Sequence, residues 1–253
     1  MRCITKSGNL PSSISDYLAA QQAVGHGFSY RTFSQTSIPG CGGTRGHQLC
    51  EQLTAEQFGL CAYTGAGIDK RLGTASAPGK NLKFSAHNEH LKPQSVCKKE
   101  LIAAGKTVDV DLGEDMDPKN IVAALLVSGD GKTKIAPKDR FGAAHRENDP
   151  VPVKPTDTDC EGRFRFDGLG RVEAADPNDL DAKQTIKVLN LTHSTLCGWR
   201  EQAINLFIDA IDSKKDAELI IQKTTDPENG CLPEYCFAIR QVVQEMIDLA
   251  SFS

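Results

Sequence analysis

No stretch of the sequence has the pattern of a membrane span or a secretory leader. No apolar run approaches the roughly 18 residues needed to cross a bilayer, and the first ten residues, MRCITKSGNL, contain no apolar core of a signal peptide. Aromatic residues make up 6% of the chain, with one Trp, which leaves little surface for stacking bases. We therefore expect a cytoplasmic protein without a membrane partner.

Cysteine pairs of the kind that bind zinc are also missing. The nine cysteines include no CxxC pair. The two closest pairs, Cys231 with Cys236 and Cys41 with Cys50, have spacings that do not fit a zinc knuckle. In a reducing cytosol such cysteines are expected to be free thiols, so the spacing predicts no structural zinc.

Three common catalytic signatures are absent. GDGKT, which begins at Gly129, has Leu126 where a phosphate loop requires its first Gly. TGAGI, which begins at Thr64, has Lys70 in place of the third Gly of a dinucleotide fingerprint. No G-x-S-x-G elbow occurs. A Cys nucleophile stays open, without a local signature that supports it.

Charge is unevenly distributed along a chain whose net charge is −4. Residues 79–106 contain six Lys against two Glu, a net of +4, and residues 130–146 contain five basic against two acidic residues, a net of +3. These segments are either solvated loops or surfaces that meet phosphates. Residues 179–253 contain 12 acidic and seven basic residues, a net of −5, which favours a protein partner over a nucleic acid there.

Periodicity and turn residues divide the chain into three regions. Residues 1–50 show no regular pattern and are expected to be irregular or partly helical. Residues 51–150 contain short strand and turn patterns. Residues 151–253 are mainly helical and begin within a proline-rich segment, Pro150 to Asp159, that predicts an extended linker. The expected fold class is α+β.

Several elements can be placed within these regions. Residues 81–90 alternate as a strand, and the continuous apolar run in residues 119–127 is a buried strand or helix. Thr54 and Gln57 form a capping box, which predicts a helix start. Further helical segments are expected over residues 140–148, from Asn178 or Asp179 to Leu189, over 196–211 and over 237–250.

The stretch HNEHLKPQS, His87 to Ser95, is the strongest candidate for chemistry. It ends the predicted strand with Glu89 and His90, and neighbouring side chains on a strand point to opposite faces. Phosphodiester hydrolysis needs a base near pH 7, which His supplies, and a divalent cation, which a carboxylate can hold. The pair therefore has the parts of a metal-dependent nuclease. A solvated strand end is the alternative.

Six segments in order resemble the HNH endonucleases of the PtuB type, which belong to Septu and retron-associated anti-phage systems. They span about Leu53 to Gln202 and read LTAEQFGLCAYTG, HNEHLKPQS, DPKNIVAALL, FGAAHREND, DCEGRFRFDGLGRV and TIKVLNLTHSTLCGWREQ. The resemblance implies a ββα-metal core, a hairpin followed by a helix around one Mg²⁺ or Mn²⁺ ion. This core, residues 51–150, would be embedded in a mainly helical protein.

The resemblance also implies roles for individual residues. His90 matches the general base, and Glu89 matches the metal ligand beside it. Asn120 matches the Asn that ties the loops together by backbone hydrogen bonds, and His145 is expected as the second metal ligand, supplied by the helix. These four residues form the expected catalytic set.

Other positions are assigned on the same basis. Lys92 and Arg146 are expected to contact phosphates, and His87 is expected to be a solvated bystander. Relatives often have two Cys pairs that hold zinc around the core, but here Thr64 replaces one Cys of the first pair and Phe141 stands where another Cys is usual. We therefore expect no structural zinc, with Phe141 and the run AALLV packed in its place.

The implied function is hydrolysis of DNA, or of an RNA such as tRNA, by the effector nuclease of a bacterial anti-phage complex. The implied partners are a PtuA-type ATPase, expected to dock on the acidic C-terminal helices, and a retron reverse transcriptase with its RNA–DNA hybrid. The alternative is a catalytically inactive HNH-fold adaptor that binds the ATPase and nucleic acid, since a fold can persist without its activity.

Overall fold

The computed structural model describes residues 1–24, 29–39, 43–77, 80–108, 110–129 and 135–249, with the backbone alone described for 74–77, 80 and 81. Within these ranges the chain combines helices with a three-stranded antiparallel sheet and a two-stranded hairpin, which confirms the expected α+β class. No helix in the same ranges is long and apolar enough to span a membrane. Cys41 and the start of the second basic segment lie outside the described residues.

The three-stranded sheet carries the candidate site at one end. Its strands are β1 (Gly73–Ala77), β2 (Lys80–His90) and β3 (Ile121–Gly129), in the order β1-β2-β3. β2 confirms the predicted strand, and the apolar run that the sequence left open is the strand β3. β2 and β3 run antiparallel, and His90 pairs with Ile121. The end of β2 therefore lies beside the start of β3.

The outer edge of β3 is covered by the segment that follows the third helix. The side chain of Gln57 donates to the Ala123 carbonyl at 2.8 Å and accepts from the Ala123 amide at 2.8 Å. The Ala62 amide donates to the same carbonyl at 3.1 Å. This cover satisfies backbone groups that an edge strand would otherwise leave open, and it explains why β3 is buried through most of its length.

Helices make up most of the remaining structure. In the described residues they are α1 (Ser12–Ala23), α2 (Tyr30–Gln35), α3 (Arg45–Glu56), α4 (Ile68–Arg71), α5 (Gln94–Ala103), α6 (Ala143–Arg146), α7 (Leu180–Val188), α8 (Ser194–Ile208), α9 (Lys214–Lys223) and α10 (Cys236–Leu249). Short strands β4 (Phe164–Phe166) and β5 (Val172–Ala174) form the hairpin. Asp179 caps α7, as predicted, by accepting a hydrogen bond from the Ala182 amide at 2.9 Å. The helix α9 was not predicted from the sequence.

The N-terminal region is more regular than its pattern predicts. It contains α1, α2 and the beginning of α3. The helix start predicted at Thr54 is wrong, because α3 begins at Arg45 with Thr44 as its cap, and Thr54 lies in the last turn with its hydroxyl on the Cys50 carbonyl. In α1 only Ile14 is buried. A helix that buries one residue does not need an apolar stripe, and the sequence shows almost no apolar periodicity there.

The proline-rich segment at 150–159 is packed, so the prediction of an extended linker is wrong. Val151 and Val153 are buried, and the Val153 amide donates to the Thr185 hydroxyl at 3.0 Å. One cluster of buried apolar residues has members before, within and after this segment. The prolines therefore shape a core-lining segment that connects the sheet region to the C-terminal helices.

Candidate active site

His90 occupies the last position of β2, and its ring is buried with 6% of the residue exposed. Its Nε2 lies 2.9 Å from the Asp115 carbonyl oxygen. A carbonyl only accepts, so Nε2 carries the proton and the neutral ring has its lone pair on Nδ1. The Gln94 amide nitrogen lies 3.4 Å from Nδ1, and the Tyr30 ring packs edge-on with a centroid separation of 4.4 Å. Nδ1 is therefore the basic atom.

The surroundings of His90 favour its neutral form. Burial lowers the pKa of His90 below the ordinary value of 6.5, because the charged ring would lose its hydration. The bond to the Asp115 carbonyl and the negative charge of Glu89 oppose this shift without cancelling it. The imidazole is thus unprotonated at pH 7, which is the state that a general base requires.

Glu89 lies on the other face of β2 and has two cationic or potentially cationic neighbours. Its Oε1 accepts from Nη1 of Arg146 at 3.0 Å, and its Oε2 lies 3.4 Å from Nε2 of His87. Alternate residues share a strand face, which brings His87 and Glu89 together. The His87 side chain is 45% exposed and that of Glu89 is 13% exposed. His87, expected to be a bystander, therefore lies beside the candidate ligand.

Arg146 is buried at the centre of this region and is 1% exposed. Its Nη1 donates to the His90 carbonyl at 2.8 Å and to the Tyr63 hydroxyl, its Nη2 donates to the Leu91 carbonyl at 2.9 Å, and its Nε donates to the Asp149 carbonyl at 2.8 Å. The guanidinium is thus directed into the protein and holds the end of β2. This position does not suit the phosphate contact expected from the sequence.

The short helix α6 places Arg146 and His145 in different directions. It begins after Gly142, whose φ of +59° favours glycine, and it ends at Glu147. His145 has its Nδ1 2.8 Å from the Val188 carbonyl at the end of α7, whereas Arg146 contacts Glu89. The carbonyl fixes the proton of a neutral His145 on Nδ1 and leaves the lone pair on Nε2, an arrangement typical of histidines that bind metals.

Asn120 fastens the loop after β2 to the start of β3. Its Oδ1 accepts from the Lys92 amide at 2.7 Å, and its Nδ2 donates to the carbonyls of Lys92 at 3.2 Å and Glu114 at 3.1 Å. Asn120 is 6% exposed, so water does not replace these bonds. Arg146 and Asn120 together hold the backbone of three consecutive residues, 90–92.

We expect Asn120→Ala to lower the free energy of unfolding by about 1–3 kcal/mol, because it removes the partner of partly buried backbone groups of Lys92 and Glu114. Urea denaturation followed by circular dichroism measures this change. Asn205→Ala, at an exposed position of α8, is the matched control and should change stability by less than about 0.5 kcal/mol. Equal losses for the two variants would contradict the fastening role of Asn120.

Lys92 does not present a free charge. Its Nζ donates to Glu100 and, at 2.7 Å, to Glu114. The hydrogen bond to Glu100, followed by that to Glu114, raises the pKa of Lys92 above its ordinary value. Because two carboxylates already neutralise the ammonium group, a phosphate would have to displace them to reach it.

Packed side chains occupy the positions at which the sequence resemblance would place zinc-binding cysteines. Phe141 is 1% exposed, with ring-centroid separations of 6.2 Å to Phe84 and 5.8 Å to Trp199. Cys61 accepts from the Leu125 amide through its Sγ at 3.1 Å. The cysteines within the described ranges are free thiols. Among the described residues, no three His, Cys, Asp or Glu side chains form a group arranged to hold a metal ion.

The sequence did not point to several residues that surround the site. Tyr30 and Asp115 cover His90 from regions that are distant in sequence, and Tyr63 joins Arg146 through its hydroxyl. No local motif marks these contacts, because each one depends on tertiary packing. The burial of Tyr30 is the only one of these features that has a sign in the sequence. That sign is the pair of aromatic residues Tyr30 and Phe33, which lie close together in α2 and are both buried.

Comparison with known proteins adds no assignment. No protein-family model matches the chain, and no curated protein matches it. The candidate function therefore depends on the geometry around His90, Glu89 and Asn120, together with the resemblance of the six sequence segments.

Proposed function

We propose that this chain is a metal-dependent HNH endonuclease with His90 as its general base. The neutral imidazole of His90 carries the proposal, since it is oriented by the Asp115 carbonyl and keeps its lone pair on Nδ1. A base of this kind accepts a proton from water near pH 7. The order of β2, β3 and α6 along the chain is that of a ββα-metal core and supports the proposal, although α5 is inserted between the two strands.

One Mg²⁺ or Mn²⁺ ion is the proposed cofactor, and the sequence resemblance assigns Glu89 and His145 as its ligands. In the structure Glu89 contacts Arg146 and His145 contacts the Val188 carbonyl, so His145 would have to turn toward Glu89 to share the ion. Oε2 of Glu89 is not engaged by Arg146, and His145 keeps the Nε2 lone pair. A cation with few protein ligands retains several waters, as Mg²⁺ commonly does. When bound, the ion supplies neutralisation of charge on the scissile phosphate and on the leaving oxygen.

In the proposed reaction, side chains of this chain activate the attacking water and hold the end of β2 in position. His90 accepts the proton of the water on Nδ1, while its Nε2–H stays on the Asp115 carbonyl and keeps the ring oriented. The Gln94 amide has to move away from Nδ1 for this step, because a contact of 3.4 Å and 6% exposure leave little space for a water. The water then attacks phosphorus in line with the leaving 3′ oxygen.

The proposed substrate is DNA, with RNA such as tRNA as the second possibility, because a water nucleophile makes no use of the 2′-hydroxyl. The proposed partner is a PtuA-type ATPase that docks on the acidic C-terminal helices, and a retron reverse transcriptase with its RNA–DNA hybrid would join the same complex. Cytoplasmic localisation is part of this proposal. These partners follow from the sequence resemblance and from the net charge of −5 over residues 179–253.

Incubation of the purified chain, alone and with the ATPase, with plasmid DNA and with tRNA tests the proposal. We expect cleavage of at least one substrate with Mg²⁺ or Mn²⁺ and none with EDTA, because the cation neutralises the scissile phosphate. A parallel purification from cells that lack the gene controls for contaminating nucleases. Failure to cut either substrate, or cleavage that persists in EDTA, would contradict the metal-dependent reaction.

The inactive adaptor is the second candidate, and two observations favour it. The guanidinium of Arg146, 3.0 Å from Oε1 of Glu89, competes with a cation for that carboxylate. Glu89 and His90 also lie on opposite faces of β2, although one phosphate has to reach both. An adaptor would bind the ATPase and an oligonucleotide with affinities that Mg²⁺ leaves unchanged, and it would cut neither substrate.

A further inference from the structure

A cavity of about 510 Å³ lies beside the end of β2 and is not used by the chemistry above. Its lining includes Leu91 and Asn120, which directly adjoin the segment that holds His90. Cavities of about 300–1,000 Å³ commonly bind small molecules or parts of larger ones. The volume therefore suits one nucleotide unit placed next to the candidate site.

The charged residues around this cavity leave two lysines available. Lys92 and Glu114 form an ion pair with each other at 2.7 Å, so their charges cancel. Lys119 and Lys154 also line the cavity, and neither of them forms an ion pair with any described residue. Asp117 is the remaining acidic residue in the lining. The lining residues alone are three lysines and two acidic residues, a net charge of +1, and Glu100, which also binds Lys92, adds one negative charge next to the cavity.

These two lysines of the cavity lining come from different parts of the chain. The side chain of Lys119 lies along Gly8, where an added Cβ would be 2.9 Å from its Cε. Lys154 belongs to the packed segment 150–159, and its amide donates to the Asp157 carboxylate at 2.7 Å. Both residues are exposed, and both line the same concave surface.

We propose that this cavity binds the nucleotide next to the scissile phosphate, with Lys119 and Lys154 on its phosphate. Pro93, Val96 and Pro150 give the cavity an apolar wall that contacts the sugar and base. This inference rests on the proposed function, because the neighbouring nucleotide belongs to a substrate strand only if the chain is a nuclease. The phosphate contact expected of Lys92 is assigned instead to these two lysines, which form no ion pair with a carboxylate of the described residues.

Binding of a short labelled oligonucleotide, followed by fluorescence anisotropy in EDTA, tests the cavity. We expect the double variant Lys119→Glu, Lys154→Glu to bind at least about tenfold more weakly, with a salt dependence reduced by about two phosphate contacts. The matched control, Lys183→Glu with Lys187→Glu at exposed positions of α7, changes net charge equally. Lys119→Met with Lys154→Met provides a second pair that keeps the apolar stems, and thermal unfolding confirms that each variant folds.

The outcomes separate the cavity from the nuclease. Selective loss of oligonucleotide binding in the cavity variants supports the proposal that the cavity binds a nucleotide, even if the wild type cuts no substrate. A wild type that cuts no substrate would overturn only the proposed nuclease activity. Equal losses in cavity and control variants, or no oligonucleotide binding by the wild type, overturn the cavity. A mononucleotide that competes as well as the oligonucleotide identifies a free nucleotide as the ligand and overturns the strand proposal.

Discussion

Arg146→Ala is expected to lower the free energy of unfolding by about 3–5 kcal/mol, which is the usual cost of removing one partner of a buried ion pair. The Arg146 side chain is fully buried, and its partner Glu89 is 13% exposed. The substitution leaves the Glu89 charge without its guanidinium. It also removes the donor from the carbonyls of His90 and Leu91, so the end of β2 loses its attachment to α6.

Urea denaturation of three variants measures this contribution. Arg146→Lys keeps the charge but not the planar set of donors, so it should recover only part of the loss. Arg165→Ala is the matched control, because Arg165 is 58% exposed and pairs with Glu245 at the surface. Surface pairs of this kind contribute at most about 1 kcal/mol. If Arg146→Ala costs no more than Arg165→Ala, Arg146 does not hold the strand end.

His90→Ala is expected to reduce the rate of nucleic-acid cleavage by about 10²–10⁴-fold, the usual contribution of a general base. The effect follows from the loss of the Nδ1 lone pair, while the backbone attachments by Arg146 and Asn120 remain in place. The rate is measured under single-turnover conditions with saturating enzyme. His47→Ala, at an exposed position of α3, is the matched control and should cut like the wild type.

The pH dependence of the wild-type rate provides a further signature of His90. Because burial lowers the pKa of His90 below 6.5, more than half of the molecules keep a neutral imidazole at pH 6.5. A histidine with an ordinary pKa would be half protonated at that pH. The rate at pH 6.5 should therefore stay above half of its plateau value, and a midpoint above pH 6.5 would contradict an unprotonated buried base.

The central strand could be predicted from the sequence because its signal is local: alternation over residues 81–90 marks β2. The apolar run in residues 119–127 left β3 open between strand and helix, and β1 was not predicted. The N-terminal helices could not, because α1 buries only Ile14 and has no apolar stripe to recognise. The prolines of residues 150–159 indicated a linker, but tertiary packing buries Val151 and Val153 and overrides that local signal.

The candidate site was predictable in its strand-end residues and not in its surroundings. Glu89 and His90 form a recognisable motif at the end of an alternating strand. The inward direction of Arg146 depends on how the single turn of α6 follows Gly142, whose positive φ no sequence pattern specifies. The placement of Lys119 and Lys154 on one cavity depends on two segments that meet only in the folded chain.

The cleavage rate of His90→Ala, with and without added imidazole, tests the central claim most directly. Removal of the side chain leaves a space next to the Asp115 carbonyl that free imidazole can enter, so a base in solution can replace the missing one. We predict that the variant is nearly inactive alone and that its rate rises with imidazole concentration. A His90→Ala variant that cuts as fast as the wild type without imidazole would contradict the claim that His90 is the base of a nuclease.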